Sequence, residues 1–357
     1  MSDEEDIRSL VVDSATRIFR DFCDPQTINS AKDLSWKEPL WRELTDNGLT
    51  LSWVPEENGG AGVGVGAGFS ILNISGQFAV PVPLAETMLA GWLLAQGGVE
   101  IPDGPMSLAP VSLRDKISIT SDGVLTGTAR SVPFAPDVAH FAVLAECDAG
   151  LSAVLVKASD CSVAATHTIA GDAQGNVTLD GVKAVAQGPV PEADTANSLM
   201  LMGATARSVQ MAGALQAILE MTVNYAQERI AFGRPIGKFQ AVQHNLARLA
   251  GEMAAAAAVS GSAADTIEQA GKFDNAVFLE TAAAKVRVGE AAGEAAAIAH
   301  QVFGAIGYTQ EHILHRYVRR LWAWRDEFGS ESEWAEMLGQ HVAVIGADEL
   351  WPMLTAR

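Results

Sequence analysis

Cations are scarce in this sequence. Its 357 residues carry 24 lysines and arginines against 43 acidic side chains, for a formal net charge of −19. A nucleic-acid backbone is bound by clustered cations, so that class of partner is excluded. Cysteine is scarcer still. Cys23, Cys147 and Cys161 follow no metal or disulfide spacing, which points to a reducing cytoplasm. The opening MSDEEDIRSL is acidic and lacks the apolar core of a signal peptide. Long apolar runs are missing too: AAAAAVSGSAA at 254–264 is small-sided and interrupted, so it reads as a closely packed helix rather than a membrane span. The glycine-rich GGAGVGVGAG at 59–68 lacks the Lys-Ser/Thr of a P-loop and follows no clear strand, which leaves a tight loop as its reading. His312 and His315 have no third ligand at useful spacing, so no metal site is expected.

What is present is apolar. Nearly half the residues are hydrophobic (48%), enough for two or three domains or one large layered unit. A mildly positive mean hydropathy beside so much charge suggests that some apolar surface is covered between subunits. Up to about residue 100 the pattern is helical: IRSLVVDSATRIFRDF is amphipathic, and two further helical runs are separated by a loop rich in glycine and proline. From about 104 to 195, short runs of Val, Ala, Ile and Thr read as strands, with Asp122-Gly123 and Asp180-Gly181 as hairpin turns. From about 196 the helical period returns, alanine-rich, as expected of an antiparallel bundle.

The segment ERIAFGRPIGKFQ interrupts that bundle. Arg229 stands where glycine and proline break the helix, so the backbone can approach a ligand closely. A guanidinium there either solvates, pairs with an acid, or holds a pyrophosphate through paired charge-assisted hydrogen bonds.

Two stretches together resemble the C-terminal half of the flavin-dependent acyl-CoA dehydrogenases. The first is the Arg-x-x-Phe-Gly turn, here Arg229, Phe232 and Gly233. The second is a Gln-x-x-Gly-Gly turn, here Gln301, Gly304 and Ala305. The N-terminal loop is similar as well, through a Trp41 helix, Gly48-Leu49, Val54-Pro55-Glu56 and Gly59-Gly60. The resemblance covers nearly the whole chain. It implies an α+β fold of N-terminal helical domain (1–103), middle antiparallel β-barrel domain (104–195) and C-terminal helical bundle (196–357). It also implies FAD as cofactor, with Arg229, Phe232, Gln240, Gln301 and Gly304 as the residues that contact it, in the family often across a subunit boundary.

The resemblance fails where the chemistry is done. Taking the α-proton of an acyl-CoA needs a carboxylate within hydrogen-bonding reach in a water-poor site. An ungapped match from Gln301 puts Phe328 where the family's glutamate stands. The alternative location, counted back from Arg229, is Gly203, with Ala204 in place of its usual arginine. The loop and strand that cradle the isoalloxazine are replaced by SLAPVSLRDK and SVPFAPDVAHF. Asp326 and Glu327 lie near the lost base, either as displaced bases or as solvated acids or partners of Arg319, Arg320 and Arg325. Trp322, Trp324 and Trp334 either line an acyl cavity or fill a core or subunit interface.

The expectation is therefore a non-catalytic subunit of a heteromeric (α2β2) acyl-CoA dehydrogenase of the type that acts on steroid-derived CoA thioesters. A homologous catalytic subunit would supply the base and contact most of the acyl-CoA, and an electron-transfer acceptor would reoxidise the flavin. The alternatives are a self-sufficient homotetramer that uses Glu327 as its base, and a flavin-free scaffold.

Overall fold

A computed structural model describes residues 2–190 and 195–355, with the side chains of 2–6 left aside. Residues 191–194, which the sequence places at the end of the strand-rich segment, lie outside the described residues.

Five helices come first: α1 (Ser2–Phe22), α2 (Pro25–Ser30), α3 (Lys37–Asp46), α4 (Val65–Gln77) and α5 (Leu84–Gln96). Eight strands follow: β1 (Met106–Ala109), β2 (Ile117–Ile119), β3 (Val124–Pro133), β4 (His140–Cys147), β5 (Gly150–Lys157), β6 (Ser162–His167), β7 (Ala173–Lys183) and β8 (Ala186–Pro189). The helical region comprises α6 (Thr195–Glu228), a small hairpin of β9 (Ile230–Ala231) and β10 (Arg234–Pro235), α7 (Gln240–Ala270), α8 (Asn275–Phe303), α9 (Leu314–Asp326), α10 (Glu331–Ile345) and α11 (Ala347–Thr355). Among the described residues, no helix is long and apolar enough to cross a membrane.

The long helix α6 is the spine. It packs on α4 on one side and on α7, α8 and α9 on the others. Its crossing with α4 is set by glycine. A Cβ on Gly76 would meet the Gln210 carbonyl oxygen at 1.9 Å, and one on Gly213 would meet that of Asn73 at 2.0 Å. Only residues without a side chain allow two backbones so close. The glycine-rich loop at 59–64 leads into α4, whose Gly66 N–H donates to the Glu268 carboxylate of α7 at 3.0 Å. The anion at that helix start is the chain's own, as the positive end of a helix favours.

The middle segment differs from the expected closed antiparallel barrel. Its strands run in the order β6-β7-β3-β2-β4-β5-β8, with β1 beside β4, and no pairing closes the two ends among the described residues. Two pairs, β1 with β4 and β2 with β4, are parallel. Turn signals report only neighbours in sequence, so these non-local pairs left no local trace. Asp122-Gly123 does turn between β2 and β3. Asp180-Gly181 does not: it lies inside β7, where the register against β3 slips between Leu125 and Thr126, with Gly181 at φ +71°. A glycine in the left-handed region serves a bulge as well as a hairpin turn, and here the strand continues through it.

Candidate functional site

Two regions of α6 concentrate chemistry, one at each end. At the first, Gly203 faces Phe328. A Cβ on Gly203 would lie 2.2 Å from Phe328 Cδ1, so the glycine and the ring require each other. The two positions where a base was expected are thus in contact, and a phenyl ring fills the space between them. Phe328 is buried and adopts φ +53°. That left-handed backbone costs a non-glycine residue about 1–2 kcal/mol. Burial of the ring offsets the cost, as does a hydrogen bond from Trp334 Nε1 to the Phe328 carbonyl at 2.9 Å.

Beside this contact lies a buried charge cluster that local patterns in the sequence do not announce. Arg207, 2% exposed, donates from Nε to Glu327 Oε2 at 2.7 Å and from Nη1 to Gln210 Oε1 at 2.6 Å, while Nη2 bonds both Glu86 and Glu327. Gln210 passes the network on to Ser75 at 3.1 Å. Lys285, equally buried, donates to the last carbonyls of α9, Trp324 at 3.2 Å and Arg325 at 2.9 Å, where a cation suits the negative helix end. Burial pulls Lys285 down to about 7. Burial raises Glu327 above the ordinary glutamate range, opposed by the attraction of Arg207. For Arg207 burial works against the charge, but Glu327 and Glu86 more than restore it and hold the guanidinium protonated.

The expected partners of Glu327 are corrected here. Arg319 donates to the Ile169 carbonyl, Arg320 pairs with Asp172 at 2.6 Å and Arg325 with Glu331 at 3.2 Å. All three are engaged elsewhere, and Glu327 turns inward to Arg207. A sequence signal for the cluster did exist: Glu86 and Arg207 are each a lone charge within a run of small or apolar residues.

Glu327 also borders a cavity of about 1050 Å³ between the sheet and the C-terminal helices. Val111–Asp115, which fall in the segment that replaces the family's ring-cradling loop, form one wall, and α9 and α10 form another. Trp322 stands at its rim and Trp334 at its floor, whereas Trp324 is buried in the bundle core against Arg207. Three arginines line the cavity, and each is already paired: Arg114 with Glu333 at 2.6 Å, Arg130 with Asp115 at 2.5 Å, and Arg325 with Glu331.

The other end of α6 looks outward. From Gly203 to Glu228 the helix rises about 37 Å at 1.5 Å per residue. There Tyr225 stacks on Phe303 with ring centroids 4.4 Å apart, bringing the ends of α6 and α8 together. The structure therefore places Arg229, Phe232, Gln240, Gln301 and Gly304 at one end of the bundle, and all five are exposed. Phe232 and Gly233 form the tip of the β9–β10 hairpin at φ +53° and +78°, and the Phe232 ring is 95% exposed. Arg229 forms no ion pair among the described residues. Gln240 opens α7, a helix start with no side-chain cap. A Cβ on Gly304 would meet nothing within 4 Å, so the space in front of it is open. His312 packs against Phe303 nearby, and no group of three metal-ligating side chains forms among the described residues.

Known proteins share this architecture. A family profile described as the acyl-CoA dehydrogenase C-terminal domain matches residues 194–332. Acyl-CoA dehydrogenase FadE27 of Mycobacterium tuberculosis is 31% identical over 307 residues, covering 78% of this chain and 81% of that protein. Acyl-CoA dehydrogenase IpdE2 of the same organism is 31% identical over 301 residues, covering 81% and 82%. Among solved structures, the ChsE4-ChsE5 complex from Mycobacterium tuberculosis superposes with a TM-score of 0.83 at 26% identity, over 96% of this chain and 98% of that one. A steroid ACAD, the Tcur3481-Tcur3483 pair, superposes with a TM-score of 0.82 at 28% identity, over 95% and 98%.

Proposed function

This chain belongs to the acyl-CoA dehydrogenase family, and we propose that it is the non-catalytic subunit of a heteromeric, FAD-dependent member acting on a bulky, steroid-type acyl-CoA. The observation that carries the reading is the contact of Phe328 with Gly203, which fills the place where a base would stand. Both solved relatives above bear paired names, ChsE4-ChsE5 and Tcur3481-Tcur3483, and the second is described as a steroid ACAD.

The two ends of α6 fit FAD unequally. The exposed end fits it: Arg229 offers paired donors to a phosphate, the uncapped start of α7 favours an anion, and the Phe232 ring presents a bare face to a flat heterocycle. The cavity fits it less well, since each of its three arginines already bonds a carboxylate. At about 37 Å along the helix, Arg229 serves a neighbouring subunit's cofactor rather than this chain's own cavity. Bound FAD supplies the acceptor for the hydride that leaves the β-carbon. This chain's part is to hold the dinucleotide in place. The α-proton goes to a carboxylate of the partner, a homologous catalytic subunit.

One observation favours a second reading. Glu327 borders the cavity with its proton affinity raised by burial, as a general base requires. Against it, Arg207 pins Oε2 from two nitrogens. The deciding experiment is co-expression with a complete homologous dehydrogenase and a flavin count. The reading expects an α2β2 complex with half as many flavins as chains, and little flavin on this chain alone. A stable, fully flavinated homo-oligomer of this chain would overturn it.

A further inference from the structure

A second group of buried charges lies where α1 ends, α9 begins and the β6–β7 turn arrives. Arg316 and Arg320 stand one turn apart on α9. Facing them are Cys23, just past the end of α1, and Asp172, from the turn between β6 and β7. None of the four lines the cavity.

Donors outnumber acceptors in this corner. Arg320, 3% exposed, spends Nη1 on the Arg316 carbonyl at 3.1 Å and Nη2 on Asp172 at 2.6 Å, while its Nε has no partner. The Arg316 side chain bonds nothing among the described residues, yet its Nε and Nη2 are both buried. A buried donor without an acceptor forfeits its hydration, and the cost is greater for a charged group. Like charges four residues apart on a helix add repulsion. Burial and Arg320 hold Arg316 below the ordinary arginine value, and the nearby Asp172 does not restore it.

The charge count points the same way. Arg316, Arg319 and Arg320 act on this corner against two carboxylates, Asp172 and Asp24. Burial keeps His315 toward its neutral form and pushes the Cys23 thiol up to about 12, so neither alters the balance at neutral pH. Asp24 is occupied in capping α2, where it accepts from the Thr27 N–H at 2.8 Å. Three cations thus face two anions. Water could accept from the unanswered N–H groups but would leave that excess positive charge in place. Because those nitrogens are buried, a nucleotide or phosphate ester is too large for them. Arg316 is itself partly exposed, which leaves an edge by which a small ion enters.

We propose that Arg316 and Arg320 hold a chloride-sized monovalent anion at this corner, and that the ion fastens the end of α1 and the β6–β7 turn to α9. The site does not depend on which subunit carries the catalytic base.

The test uses the full-length chain, dialysed free of halide and titrated with sodium chloride or sodium gluconate at matched ionic strength. Gluconate is too large for the corner and reports ionic strength alone. Chloride should raise the urea midpoint along a saturating curve that gluconate does not reproduce, as a ligand of the folded state does. The chlorine NMR line should broaden with protein and sharpen again when bromide is added. Arg316→Met removes the two buried donors and the excess charge together. It should abolish the chloride-specific gain and, in gluconate, should be more stable than wild type, a reversal that lost packing would not give. Arg316→Lys keeps the charge without Nε, and should bind chloride at least about tenfold more weakly for the loss of one charge-assisted bond. Arg248→Met, at an exposed pair with Glu294, should respond to chloride as wild type does. Identical chloride and gluconate curves, or a chloride gain that survives Arg316→Met, would overturn the site. So would a chlorine line that the wild-type protein leaves sharp, which would make ordered water the only occupant.

Discussion

The two ends of α6 are opposite in character. Around Gly203 and Arg207 the contacts are closed: Phe328 occupies the gap beside the glycine, and Glu86 and Glu327 close on the guanidinium. Around Arg229 nothing is answered, because the guanidinium is unpaired among the described residues, the Phe232 ring stands in solvent and the front of Gly304 is open. Residues so far apart with no shared partner contribute independently. A change at one end therefore need not weaken the other. A filled interior serves the chain that contains it; an unfilled surface at a helix break serves something that arrives.

The comparison is broken most sharply at Arg207. Arg207→Met leaves Glu86 and Glu327 buried without the cation that bonds them both, a loss of about 3–5 kcal/mol for a severed buried pair. Urea unfolding should show it directly. Adding Glu86→Gln and Glu327→Gln should recover most of the loss, and a single variant as stable as wild type would show that the inner end is not held by charge.

At the outer end the same kind of residue should do the reverse. Arg229→Ala should weaken flavin retention by the complex by about 1.5–3 kcal/mol, one to two decades, with the unfolding midpoint unchanged. Unaltered retention would remove the distinction between the two arginines.

The inner end should also answer to pH. Lys285 is pulled by burial from the ordinary lysine value of 10.5 to about 7, so the folded chain binds fewer protons than the unfolded chain between those values. Its contribution is complete above 10.5 and is lost as pH falls toward 7, with a slope of at most about 1.4 kcal/mol per pH unit. Cys23 and Tyr317, both pushed upward by burial, act in the opposite sense at alkaline pH. The measurement is therefore the difference in unfolding midpoint between wild type and Lys285→Met at pH 7 and at pH 9.5: the variant should gain most at pH 7. A difference that does not change with pH would mean the ammonium is already solvated.

The smallest effect sharpens the comparison. Glu327→Gln, assayed in the intact complex, should leave turnover within about twofold of wild type, since removing a general base costs about 10²–10⁴-fold. A loss of that size with flavin content and assembly intact would restore the self-sufficient reading and make the inner end an active site.

The outer end was legible in the sequence because its motif is contiguous: a helix, a break at Gly233 and Pro235, and the next helix at Gln240 lie within a dozen or so residues. The inner end was not, because Arg207 finds Glu86 121 positions away and Glu327 120 positions away. Glu327 stands out in the sequence only as the neighbour of Phe328, and the arginines close to it in the chain point elsewhere. The succession of helices, strands and helices followed from periodicity, which is local. The parallel pairing of β4 with β1 and β2, and the bulge that replaced a hairpin at Asp180-Gly181, depend on which distant strand lies alongside.

The fit of Phe328 against Gly203 also constrains what this lineage can become. A carboxylate placed at either position disturbs the fit at the other. Gly203→Glu made first drives a side chain into a ring 2.2 Å away. Removing the ring first, as in Phe328→Ala, opens a void costing about 3–5 kcal/mol before any benefit arrives. Phe328→Glu made directly buries a carboxylate beside the two acids that already share Arg207. Each single step passes through a less stable protein, so the pair locks itself: neither residue can be exchanged for an acid without a cost that the other imposes.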